Sequence, residues 1–351
     1  MRAAVLYGPG DIRLEDINIP AIKPNWVLIK VRATGICGSD LHFYKERPFT
    51  QIISEIGKGK YVPGHEFSGE VYTIGSSVKS LKEGDRVCVE PIVGCGKCCW
   101  CNVGWYNLCE NYHLIGFHYM GGMAEYCAAP AENCLLLPDN VSFESAALLD
   151  CVTVALHAVN KAEIHCGDNV AIIGAGVIGL ITLQVALIQG AENVYVIGKH
   201  DFQLQKAKTL GASAVINAKN VNPQEKIVEI THGKGVDKVI EAAGGSPNAL
   251  SDAIDITRKR GVVVTTGIFT KPVPMDFFKF LTKELTITSS WGYGYLEHKK
   301  EFEIALEYLA KEKVNVEELI THKYSLEKVN DAFTVALDKE KEKSIKVEIV
   351  F

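Results

Sequence analysis

The chain has 351 residues, with 42 acidic side chains, 37 basic side chains and 11 cysteines. At about 150 residues per domain, this length predicts two domains. A formal net charge of −5 gives no electrostatic reason to expect nucleic acid or an anionic membrane as a partner. No apolar run reaches the ~18 residues that span a bilayer. The N-terminal apolar run is too short for a signal peptide, so the expected compartment is the cytosol.

The first part of the chain, to about residue 150, predicts an irregular all-β barrel or sandwich. Short apolar, β-branched runs at residues 27–31, 67–72 and 85–89 have the character of strands. Clusters of Gly, Pro, Asn, Asp and Ser separate them and predict turns.

Cys37 lies in one predicted loop of this part, and His65 and Glu66 lie together in another, well downstream. A thiolate, an imidazole and a carboxylate make a set of three protein ligands, which is the pattern of a catalytic zinc with an open position. Asp150 ends an apolar stretch and is either a helix cap or a fourth ligand, direct or through water. Cys151 beside it is a competing soft ligand.

Four more cysteines, Cys95, Cys98, Cys101 and Cys109, fall in one short loop. Thiolates at spacings of C-x2-C-x2-C-x7-C can close a tetrahedron around Zn²⁺, which predicts a structural zinc site. The spacing is also compatible with an iron–sulfur cluster or, under oxidising conditions, with local disulfides. We interpret Cys99 as a spare thiol that faces away.

From residue 152 onwards, strands alternate with helices. Buried strands are predicted at residues 169–173, 193–197, 236–241 and 261–266, with helical stretches between them. This alternation predicts a doubly wound parallel sheet, and hence an α/β fold for the second domain. The first of these strands leads into a G-x-G-x-x-G turn and a helix, the context of a dinucleotide-binding fingerprint. The turn consists of Gly174, Ala175, Gly176, Val177, Ile178 and Gly179.

The end of the next strand bears on the choice between the two nicotinamide cofactors. An NAD site places an acidic residue there to bind the adenosine ribose, whereas this chain has Gly198, Lys199 and His200. Glycine leaves room for a 2′-phosphate, and the two basic residues can pair with it. The sequence therefore favours NADP(H) over NAD(H), and Gly198→Asp should move the preference toward NAD.

The C-terminal residues contain a predicted helix at 301–311 and a strand at 344–350. We expect a domain at residues 1–152 that carries both zinc sites, a dinucleotide-binding domain at 153–291, and a return to the first domain at 292–351.

Together these motifs resemble the zinc-containing medium-chain dehydrogenase/reductase family. The resemblance rests on residues 35–42, 64–66, the four-cysteine loop, the glycine-rich turn and the C-terminal return. It implies a GroES-like β-barrel catalytic domain and a Rossmann domain. Glu after His65 and an acid at Asp150 look closest to the polyol branch, which includes sorbitol, butanediol and threonine dehydrogenases. The stretch 45–61 is longer than expected for a short polyol enzyme.

The resemblance also implies roles for individual residues. Cys37, His65, Glu66 and Asp150 match catalytic zinc ligands, and Ser39 and His42 match a proton relay. Positions that match cofactor contacts are Thr153, the turn at 174–179, Gly198, Lys199, His200, Gly267 and Lys346. On positional grounds alone, the candidate pocket walls are Tyr44, Phe117, His118, Trp291 and Tyr293. The family suggests a homotetramer or dimer.

The expected activity is hydride transfer between NADP(H), or NAD(H), and a secondary alcohol or ketone, with a zinc Lewis acid lowering the pKa of the alcohol. The predicted substrate is a polyol, sugar alcohol or sugar acid; a short diol or L-threonine is the alternative. Three other classes remain open: a non-catalytic zinc protein that binds nucleotide, a zinc-free reductase of the same architecture, and a thiol-redox sensor.

Overall fold

The computed structural model describes residues 1–45, 61–245, 248–269 and 271–351. It divides into two compact units: unit 1 comprises Met1–Asp150 and Gly294–Phe351, and unit 2 comprises Cys151–Tyr293. These bounds lie within two residues of the divisions expected from the sequence. The long stretch 45–61 lies outside the described residues, apart from its two ends.

The N-terminal part of unit 1 consists mainly of strands. They are β1 (Arg2–Gly8), β2 (Asp11–Asp16), β3 (Trp26–Gly35), β4 (Glu66–Ile74), β5 (Arg86–Val89), β6 (Ile92–Val93), β7 (His113–Leu114), β8 (Tyr126–Pro130) and β9 (Cys134–Leu136). The helices are α1 (Gly38–Lys45), α2 (Cys99–Asn102), α3 (Phe143–Ala147) and α4 (Leu149–Ala162), the last of which continues into unit 2.

Strands and helices alternate in unit 2. The strands are β10 (Asn169–Ile173), β11 (Asn193–Gly198), β12 (Ala214–Asn217), β13 (Val236–Glu241), β14 (Thr257–Thr265) and β15 (Thr286–Ser289). The helices are α5 (Val177–Ile188), α6 (Asp201–Thr209), α7 (Pro223–Ile230), α8 (Ala249–Ile256) and α9 (Phe277–Lys283).

The C-terminal part of unit 1 adds further strands and helices. The strands are β16 (Tyr295–Leu296), β17 (Lys299–Lys300), β18 (Ile320–Ser325) and β19 (Lys346–Val350). The helices are α10 (Glu301–Ala310), α11 (Val329–Leu337) and α12 (Lys339–Glu342). No helix within the described ranges is long and apolar enough to cross a membrane.

The main sheet of unit 1 is built around β3. Its strand order is β18-β19-β3-β4-β5-β9, and β8 also pairs with β3. β3 is long enough to pair with β4 along one edge and with β8 and then β19 along the other. The side chains of β3 and β4 that face inward, such as Val27, Ile29 and Phe67, are fully buried in one hydrophobic cluster. The C-terminal strand β19 thus joins the sheet beside the end of β3.

Unit 2 contains a parallel sheet with the order β12-β11-β10-β13-β14-β15. Renumbered within the unit, this is the order 3-2-1-4-5-6 of a Rossmann fold. Its strands are nearly continuous buried runs, such as Val170–Ile173 in β10, because helices cover both faces of such a sheet. The predicted α/β class, with a doubly wound parallel sheet, is confirmed.

A buried charge connects the four-cysteine loop to the C-terminal part of unit 1. Glu90 is fully buried and accepts hydrogen bonds from the hydroxyl of Tyr106 and, at 2.8 Å, from the ammonium of Lys300. Burial raises the pKa of Glu90, and the nearby Lys300 charge opposes that effect. Because an unpaired buried charge is costly, this pair makes the two segments depend on each other.

Candidate active site and metal centres

The end of β3 and the start of β4 bring three candidate metal ligands together. The strands are antiparallel, and Gly35 at the end of β3 lies opposite Glu66 at the start of β4. Cys37 follows β3 by two residues, and His65 immediately precedes β4. One ligand atom from each of Cys37, His65 and Glu66 lies within 4.8 Å of the others. Strand pairing therefore brings the thiol of Cys37 to the adjacent imidazole and carboxylate of His65 and Glu66, which lie far from it in the sequence.

Asp40 connects two of these residues. It lies in the first turn of α1, its side chain is fully buried, and its Oδ2 accepts a 2.9 Å hydrogen bond from the backbone N–H of Cys37. Its Oδ1 lies 3.9 Å from Nδ1 of His65. An acid at this position that accepts from the N–H preceding the helix is half of a capping box. Because Cys37 stands where the capping-box pattern has Ser or Thr, the sequence contains only half of that pattern and by itself predicts no role for Asp40.

Negative charge is concentrated around His65. Burial disfavours the charged imidazolium, but Cys37, Asp40 and Glu66 together favour it more and hold the pKa of His65 well above its usual value. Charges that hold a proton on an imidazole would also attract a divalent cation. Thiolate, imidazole and carboxylate are all donors that zinc accepts, and three protein ligands leave a fourth position open. The residues present therefore fit a catalytic zinc.

Glu66 has a second partner in Lys346 of β19. The ammonium of Lys346 donates to Oε2 of Glu66 and, at 3.2 Å, to the backbone carbonyl of Ile36. Each of the two paired side chains is only 1% exposed. Lys346 was expected at the cofactor from the resemblance, and that contact stays a prediction.

The expected proton-relay residues and the fourth ligand lie on two helices. Ser39 and His42 are one turn apart on α1, and the buried Oγ of Ser39 has no hydrogen-bond partner among the described residues. Asp150 is buried in the first turn of α4, close to the fully buried Thr153. Asp150 is not part of the three-ligand group, so its ligation stays a prediction, as do the roles of the other three residues.

The five aromatic pocket candidates have different surroundings. Phe117 packs against the imidazole of His65, with ring centroids 5.2 Å apart. This contact supports a place for Phe117 beside the site, whereas the other four stay predictions. Tyr44 is half-buried against the core of unit 1, His118 and Trp291 are exposed, and Tyr293 is fully buried.

The four-cysteine loop forms a second cluster within unit 1. The sulfurs of Cys95, Cys98, Cys101 and Cys109 lie within 4.8 Å of one another, and those of Cys95 and Cys101 are 4.0 Å apart. A tetrahedron with Zn–S bonds near 2.3 Å separates its sulfurs by about 3.8 Å, so the cluster fits a closed zinc site. The skipped thiol, Cys99, is exposed and lies outside this group.

Backbone N–H groups point at the sulfurs of this cluster. The N–H groups of Cys95 and Asn111 donate to Sγ of Cys109, at 3.3 Å and 3.4 Å. The N–H groups of Lys97 and Cys98 lower the pKa of the Cys95 thiol to about 6. Because the thiolate is the form that binds a metal, these backbone donors favour the ligating state of Cys95.

The glycine-rich turn of unit 2 lies where β10 passes into α5. Gly174 has φ +113°, and a Cβ there would lie 2.8 Å from the backbone N of Ala243. A Cβ on Gly179 would overlap the carbonyl oxygen of Gly174, so helix and strand approach closely. A Cβ on Gly176 would meet nothing within 4 Å, which leaves the helix N-terminus open. Free N–H groups and the helix dipole at such a turn fit a pyrophosphate.

The residues expected to contact the adenosine ribose lie at the end of β11 and at the start of the helix that follows it. Gly198 ends β11 and is buried, Lys199 is exposed, and His200 directly precedes α6. The next acid, Asp201, accepts a 2.6 Å hydrogen bond from the side chain of Asn217. A Cβ on Gly198 would lie 2.8 Å from the Cβ of Ala175, so an aspartate there would require its neighbours to move. Gly198→Asp is therefore a poor test of cofactor preference.

Comparison with known proteins places the chain among the dehydrogenases. The Alcohol dehydrogenase GroES-like domain matches residues 23–139, and the Zinc-binding dehydrogenase domain matches residues 177–311. Sorbitol dehydrogenase from Bacillus subtilis is 35% identical over 96% of this chain and 94% of its own length. D-arabitol-phosphate dehydrogenase from Enterococcus avium is 36% identical over 92% of this chain and 90% of its own length.

The chain belongs to the zinc-containing medium-chain dehydrogenase/reductase family. This confirms the resemblance found in the sequence, and the chain is an oxidoreductase acting on CH–OH donors. Galactitol-1-phosphate dehydrogenase from Escherichia coli has the same fold, with a TM-score of 0.89 and 30% identity over the whole of both chains.

Two solved structures of this family contain a nicotinamide cofactor. An alcohol dehydrogenase from Escherichia coli, 30% identical with a TM-score of 0.90, is complexed with NADH and covers 100% of this chain and 99% of its own. A protein from Sinorhizobium meliloti assigned as a zinc-binding dehydrogenase, 29% identical with a TM-score of 0.89, is bound to NADP with the same coverage. Family membership thus implies zinc and a nicotinamide cofactor.

Proposed function

We propose that the chain oxidises a secondary hydroxyl of a polyol, sugar alcohol or sugar acid, or reduces the corresponding ketone, with NADP(H) as the preferred cofactor. The observation that carries the proposal is the group of Cys37, His65 and Glu66 in a chain that also has a dinucleotide-binding turn. Relatives named for sorbitol, arabitol phosphate and galactitol phosphate support the substrate class.

Residues of unit 1 would have separate roles at the catalytic zinc site, either as ligands or as supports for the ligands. Cys37, His65 and Glu66 would hold a zinc ion, with Asp150 as a fourth ligand, direct or through water. When bound, zinc supplies a Lewis acid that lowers the pKa of an alcohol by several units. Asp40 keeps His65 and the start of α1 in position, and Phe117 shields one face of the imidazole.

The released proton needs a route to solvent, and we assign it to Ser39 and His42. The Oγ of Ser39 is buried without a partner among the described residues, so it can accept a proton from the substrate and donate its own. His42 lies one helical turn further along α1 and is half-buried, so its imidazole can pass the proton on to water.

Unit 2 would hold the cofactor, with its pyrophosphate at the start of α5. Lys199 and His200 would pair with the 2′-phosphate of NADP, and the absence of a carboxylate at Gly198 removes the usual ribose ligand of NAD. We expect Lys199→Ala/His200→Ala to raise KM for NADP⁺ at least about 10-fold with little change for NAD⁺, because each lost hydrogen bond to the charged phosphate is worth about 1.5 kcal/mol or more. An equal effect on both cofactors would refute the preference.

The Cys95–Cys109 cluster would hold a second, structural zinc, giving two zinc ions per chain. We also propose a cytosolic homo-oligomer, a tetramer or dimer. The exposed apolar side chains of α9, Phe277, Phe278 and Leu281, support an association surface. Light scattering coupled to gel filtration measures the oligomer directly, and a monomer at micromolar concentration would refute it.

The decisive experiment combines metal content with a substrate screen. Purified protein is analysed for zinc, and the same sample is assayed with NADP⁺ and NAD⁺ against polyols, polyol phosphates, sugar acids, short diols and L-threonine. We expect about two zinc ions per chain and turnover of a polyol-type substrate. Turnover confined to a short diol or L-threonine would replace the proposed polyol-type substrate with that alternative. Two zinc ions without any turnover would favour a non-catalytic nucleotide-binding protein.

A further inference from the structure

A row of charged residues crosses the main sheet of unit 1 and ends at the candidate metal site. Lys323 on β18 lies opposite Glu348 on β19, Glu348 lies opposite Gly35 on β3, and Gly35 lies opposite Glu66 on β4. Residues directly opposite one another in paired strands share a face of the sheet. Glu348 and Glu66 are thus separated only by a residue without a side chain.

Glu348 is an unusual residue for such a place. It is fully buried, and both of its carboxylate oxygens lack a hydrogen-bond partner among the described residues. Burial raises the pKa of Glu348 to about 8, and the neighbouring Lys346 and Lys323 charges oppose the rise. Buried polar atoms are nearly always hydrogen-bonded, so an orphaned carboxyl calls for an explanation.

The space beside Gly35 is filled by the lysine that precedes Glu348 by two residues. Residues two apart on a strand share a face, so Lys346 and Glu348 face the same way. The ammonium of Lys346 donates to Glu66, and a Cβ on Gly35 would overlap Glu66 Oε2 and lie 2.6 Å from Lys346 Cε. The Lys346 side chain therefore extends past Gly35, with the Glu66 carboxylate at its end and the Glu348 carboxyl group on its own strand.

Two cations would compete for Glu66. Its Oε2 accepts from Lys346, and Glu66 is also one of the three candidate metal ligands. A carboxylate that shares its charge with a divalent metal attracts an ammonium less strongly. A lysine that is 1% exposed cannot turn to water instead, so its charge then depends on the other buried carboxyl groups near it, which include Asp40 and Glu348.

We propose that Glu348 is the carboxyl group that accepts a hydrogen bond from Lys346 when Glu66 binds the metal, and that it is therefore a positioning residue. The inference rests on the proposed metal site. Its consequence is that Glu348, which is not itself a ligand, strengthens metal binding at Cys37, His65 and Glu66. Without an ionisable group at position 348, Lys346 has one buried carboxyl fewer to interact with and stays more strongly attracted to Glu66, so the lysine then opposes the metal.

The test measures zinc affinity rather than turnover. Zinc is withdrawn from the wild type and from Glu348→Gln with a chromophoric chelator, and the two releases per chain are followed separately. Glutamine preserves volume and hydrogen-bonding capacity but not charge, so we expect the catalytic-site affinity to fall about 10- to 100-fold, the range for a lost partner of a metal ligand. The four-cysteine zinc should be retained and reports that the fold is intact.

Two further variants separate charge from packing. Glu348→Asp keeps the carboxylate and should recover most of the affinity, whereas Glu144→Gln removes an outer acid that pairs with Lys323 at 3.0 Å and should change little. Equal affinity of Glu348→Gln and wild type would overturn the inference, as would equal losses in the Asp and Gln variants. A wild type that releases only one zinc refutes the proposed metal site itself, before any variant is compared.

Discussion

The two candidate metal centres lie in the same unit but are assembled in different ways. The four-cysteine cluster comes from one loop of 15 positions, Cys95 to Cys109, and its sulfurs are held by backbone N–H groups. The Cys37, His65 and Glu66 group depends on the pairing of β3 with β4 and is surrounded by the buried charges of Asp40 and Lys346.

This difference separates a structural centre from a reactive one. Backbone donors are fixed by the path of the loop, and four thiolates leave a metal no free position. Side-chain charges can change partner and protonation state, and three ligands leave room for a substrate oxygen. We therefore expect variants of the first centre to alter stability and variants of the second to alter rate.

The largest expected effect is on rate, in Cys37→Ala. Loss of the thiolate removes a ligand from the reactive centre, so kcat/KM should fall at least about 10⁴-fold, or roughly 5 kcal/mol of transition-state stabilisation. Steady-state kinetics and zinc analysis check this, and one zinc per chain should remain. Cys166→Ala, which removes an exposed thiol, is the control. Full activity in Cys37→Ala would contradict the assignment of the Cys37, His65 and Glu66 group as the reactive centre.

The second effect is on stability, in Cys101→Ala. Opening the four-thiolate site should lower the free energy of unfolding by about 4 kcal/mol or more, since a structural metal contributes directly to folding. Denaturant unfolding measures the change. Cys99→Ala lies two residues away but removes an exposed thiol outside the cluster, so it should match the wild type. Similar losses of stability in both variants would mean that the local helix, and not the metal, accounts for the change in the free energy of unfolding.

The third prediction concerns the attachment of the four-cysteine loop to its surroundings. Lys300→Met leaves Glu90 buried without its cation and should cost about 3 kcal/mol of folding stability. The matched control is Lys226→Met, which breaks the exposed pair with Glu229 and should cost less than about 0.5 kcal/mol. Thermal unfolding of both variants checks the contrast, and a Lys300→Met protein as stable as its control contradicts it.

The smallest effect is expected at the periphery of the reactive centre, in His42→Ala. Loss of a proton-transfer group should lower kcat/KM about 100-fold near neutral pH and change the shape of the pH–rate profile. The measurement is kcat/KM across the pH range, with His298→Ala, a fully exposed histidine, as the control. An unchanged rate and profile would remove His42 from the relay.

The contrast between the centres also explains what could be predicted from the sequence. The spacing from Cys95 to Cys109 encodes its cluster locally, and the turn after β10 has a fixed context of strand and helix, so both could be located. The roles of Asp40, Lys346 and Glu348 depend on which strands pair and in what register. β3, β4 and β19 are distant in sequence, and Glu348 within Lys-Val-Glu-Ile-Val resembles any alternating strand residue.

Gly35 illustrates a consequence for the interpretation of genetic variants. It carries no functional group and coordinates nothing, yet any side chain there would displace Glu66 and Lys346. In a saturation mutagenesis experiment scored by activity, we expect position 35 to be as intolerant as Cys37. A catalogue of essential positions drawn up from reactive side chains alone would omit a residue that matters because it has no side chain, which leaves room for Glu66 and Lys346.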